Sequence, residues 1–292
     1  MRFLVVESET ADERAERRRQ AGRSSGESYQ ATLEQLVPGA EISRVAPADS
    51  GAQPPGVPEI AGYDAVFLCG SPLHVYEDAP EVRRQIDFMR AVFASGVPSF
   101  GSCAGLQLAA AAAGGVVRSM PVRMEAAVAR RITRSEAGRD HPLLAGRPPA
   151  WDAAAIHTDE VETLPENATL LAGNGVTQVQ AAEIRHGAGV FWGVQYHPEL
   201  APGEIAAAIR RQAASIVASG LAGDDESVER RAVLLDRIHR DPADPAARWD
   251  LGVDEEFACE ARRRIELTNF IAAIPRLRGA AGDMATEPER SL

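Results

Sequence analysis

The chain opens on an apolar block, Phe3-Leu4-Val5-Val6, between Arg2 and Glu7. A short β-branched run of that kind predicts a buried strand. Residues 10–26 are polar and carry Arg17-Arg18-Arg19. They predict a solvated loop or exposed helix, which at a strand's end is also placed to shape a substrate entrance. Tyr29, Leu33 and Leu36 recur at helical spacing, so residues 27–37 predict a helix that Pro38-Gly39 stops. A short strand over 41–45 and a proline-rich loop over 46–58 follow. Residues 63–69 predict a second core strand, which ends at Gly70-Ser71-Pro72. Residues 80–95 predict an amphipathic helix, with Val82, Ile86, Met89 and Val92 on one face and Arg83, Arg84 and Arg90 on the other. A strand over 97–102 then runs through a turn into an alanine-rich helix, 106–113, closed by Gly114-Gly115.

Strand alternating with helix predicts a parallel, doubly wound sheet. After residue 120 the rhythm changes. Segments 122–132, 153–157, 168–172, 176–184 and 189–195 are short and strand-like, with tight turns between them. They predict antiparallel strands that extend or cover the sheet. A helix over 202–219 comes next, then an acidic, glycine-containing stretch over 220–226 that marks a boundary. Beyond it, helices are predicted over 227–240 and 254–274, and a frayed end over the last dozen residues. The expected class is therefore α/β. Its sheet is mixed and largely parallel, flanked by helices, with a catalytic-size domain over 1–220. A helical extension, 221–292, is too small for a core of its own and packs on that domain or on a partner.

Composition narrows the function. The chain has 292 residues, 45% hydrophobic and 25% charged, enough for one sizeable domain plus an extension. A net charge of −11 argues against a general nucleic-acid binder. All 31 basic residues are arginine, which excludes a Schiff-base or phosphate-loop lysine. No apolar run reaches membrane-spanning length, and the first residues lack a signal-peptide layout. The three cysteines, Cys69, Cys103 and Cys259, are odd in number and widely spaced, so a disulfide framework is not expected and a reducing cytoplasm fits. No His, Cys or carboxylate pair sits at metal-liganding spacing, and no cofactor is expected.

The candidate chemistry centres on Cys103. It stands at the tip of the strand-to-helix turn with Gly101 and Gly105 two residues to either side. The same geometry presents the serine of Gly-x-Ser-x-Gly hydrolases. A helix start and an imidazole would both favour the thiolate. Of six histidines, local chemistry favours His197, at the end of the apolar strand 190–196. Pro198 holds it extended, and Glu199 at i+2 is placed to orient its ring. The backbone N–H of Ala104 is one expected oxyanion donor, and the Gly70-Ser71 turn is a second.

Together these pieces resemble the class I, triad-type glutamine amidotransferase domain, in its GMP-synthetase-like branch. The nucleophile motif is carried by Pro98, Gly101, Cys103, Gly105 and Gln107. The oxyanion strand matches Gly70-Ser71-Pro72 with Val75-Tyr76 following, and the Gln-Phe-His-Pro-Glu signature matches residues 195–199. His157-Thr158-Asp159-Glu160-Val161 matches a smaller element, with His157 and Asp159 expected to brace the site. Two positions depart from the pattern: Ser71 replaces a glycine and His74 a serine. The resemblance implies a flavodoxin-like fold and hydrolysis of the glutamine side-chain amide through a γ-glutamyl thioester. Catalysis falls to Cys103, His197 and Glu199, the oxyanion hole to Gly70, Ser71 and Ala104, and substrate contact to Gln107, Pro72 and His74. The family passes ammonia to a synthetase or ligase; no such module follows here, so a separate acceptor partner is implied. Two alternatives stand beside this reading: a γ-glutamyl hydrolase or peptidase on the same fold, and a non-catalytic binding protein that retains it.

Overall fold

The apolar blocks pair into one nine-stranded sheet, seen in a computed structural model that describes residues 1–284 apart from Val122. In chain order, β1 (Arg2–Val6) is followed by α1 (Ala11–Ala21) and α2 (Ser25–Leu36), then β2 (Glu41–Val45) and a short α3 (Val57–Ile60). β3 (Ala65–Leu68), α4 (Pro80–Ser95), β4 (Ser99–Ser102) and α5 (Ala104–Ala112) complete the first half. The second half holds β5 (Val116–Ser119), β6 (Glu125–Arg134), β7 (Ala150–His157), β8 (Asp159–Thr163), β9 (Ala168–Gly173), β10 (Ala181–His186) and β11 (Gly189–Val194). The helices α6 (Pro202–Arg211), α7 (Ala213–Ala218), α8 (Asp225–Arg240) and α9 (Pro245–Leu251) follow. Last come α10 (Glu255–Ala258), α11 (Glu260–Arg263) and α12 (Ile265–Met284).

The sheet order is β2-β1-β3-β4-β11-β10-β9-β6-β7. Neighbours from β2 to β11 are parallel, and those beyond β11 are antiparallel. The parallel half with helices on both faces and the antiparallel second half agree with the predicted mixed α/β, flavodoxin-like class. Alternation along the strands feeds two cores. Phe3, Val5 and Phe67 face α2 and α12, whereas Leu4, Val6, Val66 and Leu68 face α4 and α5.

Several elements differ from expectation for local reasons. Within 176–184 only the end is strand, because Asn174 Oδ1 accepts the Val176 and Thr177 N–H groups and folds that stretch into a turn. β5 and β8 form a separate two-stranded ribbon. The helix expected over 202–219 breaks at Gln212 into α6 and α7. The helix expected over 254–274 is interrupted at Cys259, whose extended backbone separates α10 from α11. Over residues 10–26, expected as loop or exposed helix, the helical alternative holds: Thr10 with Glu13, and Ser24 with Glu27, form capping boxes that start α1 and α2. Val122, in the expected 122–132 strand, and most of the predicted frayed end lie outside the described residues.

Residues beyond 220 share the main cores. Phe270 of α12 meets the rings of Phe67, Phe100 and Trp192 from three central strands. α8 packs on α6, with Val228, Leu235 and Ile238 in a cluster that reaches β6 and β7. Among the described residues, no helix is long and apolar enough to cross a membrane.

Candidate active site

Strand register brings the motifs together. Gly101 lies opposite Leu68, and Ser102 opposite Val194. The residues that follow β3, β4 and β11 therefore emerge side by side at the carboxyl edge of the parallel strands, where sites collect in such sheets. A bond from Cys103 N to Val194 O (2.9 Å) ties the cysteine turn to the strand that leads to His197. His197 N in turn donates to Ala154 O (2.8 Å) on β7.

Cys103 has φ 54° and ψ −113°, a strained conformation for a residue with a side chain. It sits immediately before α5, so the helix N-terminus faces the thiol. The flanking glycines let the layers close around it. A Cβ on Gly105 would come within 2.7 Å of the Leu68 carbonyl, and one on Gly101 within 3.0 Å of Gly105 Cα. The Cys103 Sγ lies 4.0 Å from Ile156 O.

His197 and Glu199 are both buried, and His197 Nδ1 meets Glu199 Oε1 at 2.7 Å. The other Glu199 oxygen is buried without a hydrogen-bond partner among the described residues. Burial alone would lower the His197 pKa, but the Glu199 carboxylate and the Cys103 sulfur outweigh it and raise it to about 10. Gly70 lies against both partners: a Cβ there would come 2.9 Å from His197 Cε1 and 3.4 Å from Cys103 Cβ. Ser71 Oγ accepts the Leu73 N–H (3.3 Å) and stiffens the turn.

Cys103, His197 and Glu199 share a cavity of about 540 Å³ with Gly70, Ser71, Pro72, His74 and Gln107. Gln107 is buried, and its amide nitrogen is already engaged by Asp159 O (3.0 Å) and Gln195 Oε1 (3.2 Å). His74 bonds Asp159 Oδ2 through Nδ1 (2.7 Å), which joins the Gly70 turn to the ribbon strand β8. Ala104 opens α5 beside Cys103.

Two parts of the site go beyond the sequence reading. His157 is held on both ring nitrogens, by Asp159 O (2.9 Å) and by Glu125 Oε2 (3.1 Å). Glu125 also accepts from Asn174 and Thr177. Burial works against ionisation of Glu125, but His157 and these donors outweigh it and lower its pKa. Glu125 lies far from His157 in sequence and belongs to no recognisable motif. The second is the far wall, where Glu9, Glu13 and Arg17 of the α1 region face Arg211, Gln212 and Ser215 around α6 and α7. The polar residues of 10–26 carried the only hint of it.

Comparison with known proteins identifies the family of the chain. A family model described as glutamine amidotransferase class-I matches residues 36–215. A γ-glutamyl-L-1-hydroxyisopropylamide hydrolase from a Pseudomonas species is 36% identical over 225 residues, covering 75% of each chain. A glutamine-hydrolysing GMP synthase from Thermosipho africanus is 35% identical over 137 residues, 47% of this chain but 24% of its own length. The crystal structure of a glutamine amidotransferase from Thermotoga maritima superposes with a TM-score of 0.60 at 16% identity, over 94% of this chain and 97% of that one, which speaks for the fold alone. On the family model and the hydrolase of similar extent, the chain belongs to the class-I glutamine amidotransferase family.

Proposed function

We propose that this protein hydrolyses the side-chain amide of a γ-glutamyl compound, with an N-substituted γ-glutamyl amide as the preferred substrate. The observation that carries the reading is Cys103 at its strained turn beside the buried His197–Glu199 pair, at one end of a cavity. In this reading Cys103 attacks the γ-carbonyl carbon, and the N–H of Ala104 with the Gly70-Ser71 turn receives the oxyanion. His197, oriented by Glu199, takes the Cys103 thiol proton and donates it to the departing amine. Water then cleaves the thioester and releases glutamate. Pro72, His74 and Gln107 line the glutamyl end, with Gln107 positioned by Asp159.

Two features support a substituted amine over ammonia. The cavity continues past the triad to the α1, α6 and α7 wall, leaving room beyond a simple amide. The relative of comparable extent is named for hydrolysis of a γ-glutamyl alkylamide, whereas the GMP synthase match covers a quarter of that enzyme. Residues 1–220 form the catalytic unit in this reading, and 221–292 brace it. A reducing cytoplasm suits its three free cysteines. A second reading, delivery of ammonia from glutamine to a separate synthetase partner, draws on the GMP-synthetase-like motifs.

Glutamate release from L-glutamine and from N-alkyl γ-glutamyl amides by the isolated protein separates the two. Faster turnover of the substituted amide is expected, and Cys103→Ala lowers it by roughly 10⁴-fold or more. Preference for free glutamine would favour the ammonia reading. Undiminished activity of Cys103→Ala would remove both.

A further inference from the structure

Beneath the candidate triad, three polar atoms are buried without a hydrogen-bond partner among the described residues: Tyr29 Oη, Ser102 Oγ and Oε2 of Glu199. Tyr29 and Ser102 are fully shielded from solvent, and Glu199 is 4% exposed. Alternation along β4 puts Ser102 on the face of Phe100, which packs in the core that holds Tyr29 and Cys69. Tyr29 and Thr32 lie one turn apart on α2, and Thr32 Oγ1 donates to the Glu199 carbonyl (3.3 Å). This face of α2 therefore lies against the residue that orients His197.

The Tyr29 hydroxyl and the Glu199 carboxylate sense each other. Burial first, then the Glu199 charge and Cys69, raise the hydroxyl well above its ordinary 10, and Ser102 only partly offsets them. Tyr29 thus stays protonated through neutrality and keeps an O–H to donate. Burial and then Glu199 also raise the Cys69 thiol, a weaker donor. A buried carboxylate oxygen without a donor is costly, and so is a buried hydroxyl without a partner.

We propose that Tyr29 is a positioning residue for the triad, its hydroxyl holding Glu199 Oε2 through one buried water shared with Ser102. The water accepts the Tyr29 O–H, donates to Glu199 Oε2 and bonds the Ser102 hydroxyl, so all three atoms are satisfied at once. Glu199 Oε1 is left to His197 Nδ1 (2.7 Å), and the carboxylate is fixed at both oxygens. Tyr29 does not line the Cys103 cavity, so it acts through Glu199 alone. The inference rests on Cys103, His197 and Glu199 working together as proposed above.

The test reads Cys103 itself. Alkylation of the full chain by iodoacetamide at neutral pH, followed at the Cys103 peptide by mass spectrometry, is independent of the substrate. His197→Ala should slow it; an unchanged rate would remove the triad reading and this inference with it. Tyr29→Phe, which deletes one oxygen, should slow Cys103 alkylation roughly tenfold and add little in a Glu199→Gln background. A merely structural tyrosine would slow both backgrounds alike. An unchanged rate in Tyr29→Phe, or the same slowing on top of Glu199→Gln, overturns the proposal and leaves the triad standing. If Tyr29→Phe does not fold, Ser102→Ala, which lacks the other hydroxyl on the water, decides by the same two comparisons.

Discussion

At the level of single residues, the pairing of His197 with Glu199 decides how the site responds to pH. Burial would make an isolated imidazole lose its proton early, but the carboxylate 2.7 Å away and the Cys103 sulfur hold it to about pH 10. A raised pKa keeps the imidazolium present through neutrality, where in the proposed reaction it serves as proton source for the departing amine. As pH rises through about 10 that proton is lost. Hydrolysis should therefore be level across the neutral range and fall on an alkaline limb near pH 10. Glu199→Gln removes the raising charge and leaves the burial effect, so the limb should move down by roughly a unit or more. Turnover should drop roughly 10²- to 10⁴-fold, because the ring also loses its orienting partner. The profile of kcat/KM from pH 6 to 11 checks both; a limb at the same pH in the variant would mean that Glu199 does not set the His197 proton. The thiol, imidazole and carboxylate were legible in sequence because each sits in a local motif: glycines around a turn, and a His-Pro-Glu step. The Glu125 brace on His157 was not, since only the β6–β7 pairing, with Glu125 opposite His157, brings the two together.

At the level of elements, the pairing of β10 with β11 carries its own charged clamp. Glu183 stands opposite Trp192 and accepts its indole N–H (2.6 Å), together with Arg185 Nε (2.7 Å) and a His141 ring nitrogen (3.2 Å). Burial opposes ionisation of this carboxyl, but the three donors win and hold it at about 2, against an ordinary 4.5. A depressed folded pKa stabilises above the unfolded value and is lost as pH falls from about 4.5 toward 2. By that linkage the clamp contributes on the order of 2–3 kcal/mol at neutral pH. Glu183→Gln should therefore be less stable than wild type at pH 7, with the gap closing by pH 2–3. Urea unfolding across that range reads it, and a pH-independent gap would contradict the charge-based account. This strand pair was legible from its apolar run, but its register was not. Residues 176–184 read as continuous strand, and only the Asn174 side chain, capping two N–H groups, explains why pairing starts at Ala181. The breaks at Gln212 and Cys259 escaped notice for the same reason, because the apolar spacing continues through both while the backbone does not.

At the level of the whole molecule, a buried ion network ties the C-terminal helices to the strand end that carries the candidate base. Glu266 of α12, fully buried, binds Arg147 through both oxygens (2.6 and 2.7 Å) and accepts the Tyr196 hydroxyl (2.8 Å). Arg147 also reaches Glu256 (2.8 Å) of α10. Tyr196 immediately precedes His197, so the network links residues beyond 220 to the strand end that holds the candidate base. Sequence reading expected an extension packed on the domain or on a partner. Composition could not choose, because the contacts that decide it run between residues far apart in the chain. Removing one partner of a buried pair leaves an uncompensated charge, whereas removing both leaves only a packing defect. Glu266→Met and Arg147→Met should each destabilise by roughly 3–5 kcal/mol, and the double variant by clearly less than their sum. Urea denaturation of the three variants measures that coupling. At temperatures where Glu266→Met remains folded, its hydrolytic turnover should still fall, because the Tyr196 hydroxyl loses its acceptor next to His197. Full turnover in a folded Glu266→Met would confine the network to stability and separate the extension from the chemistry at Cys103.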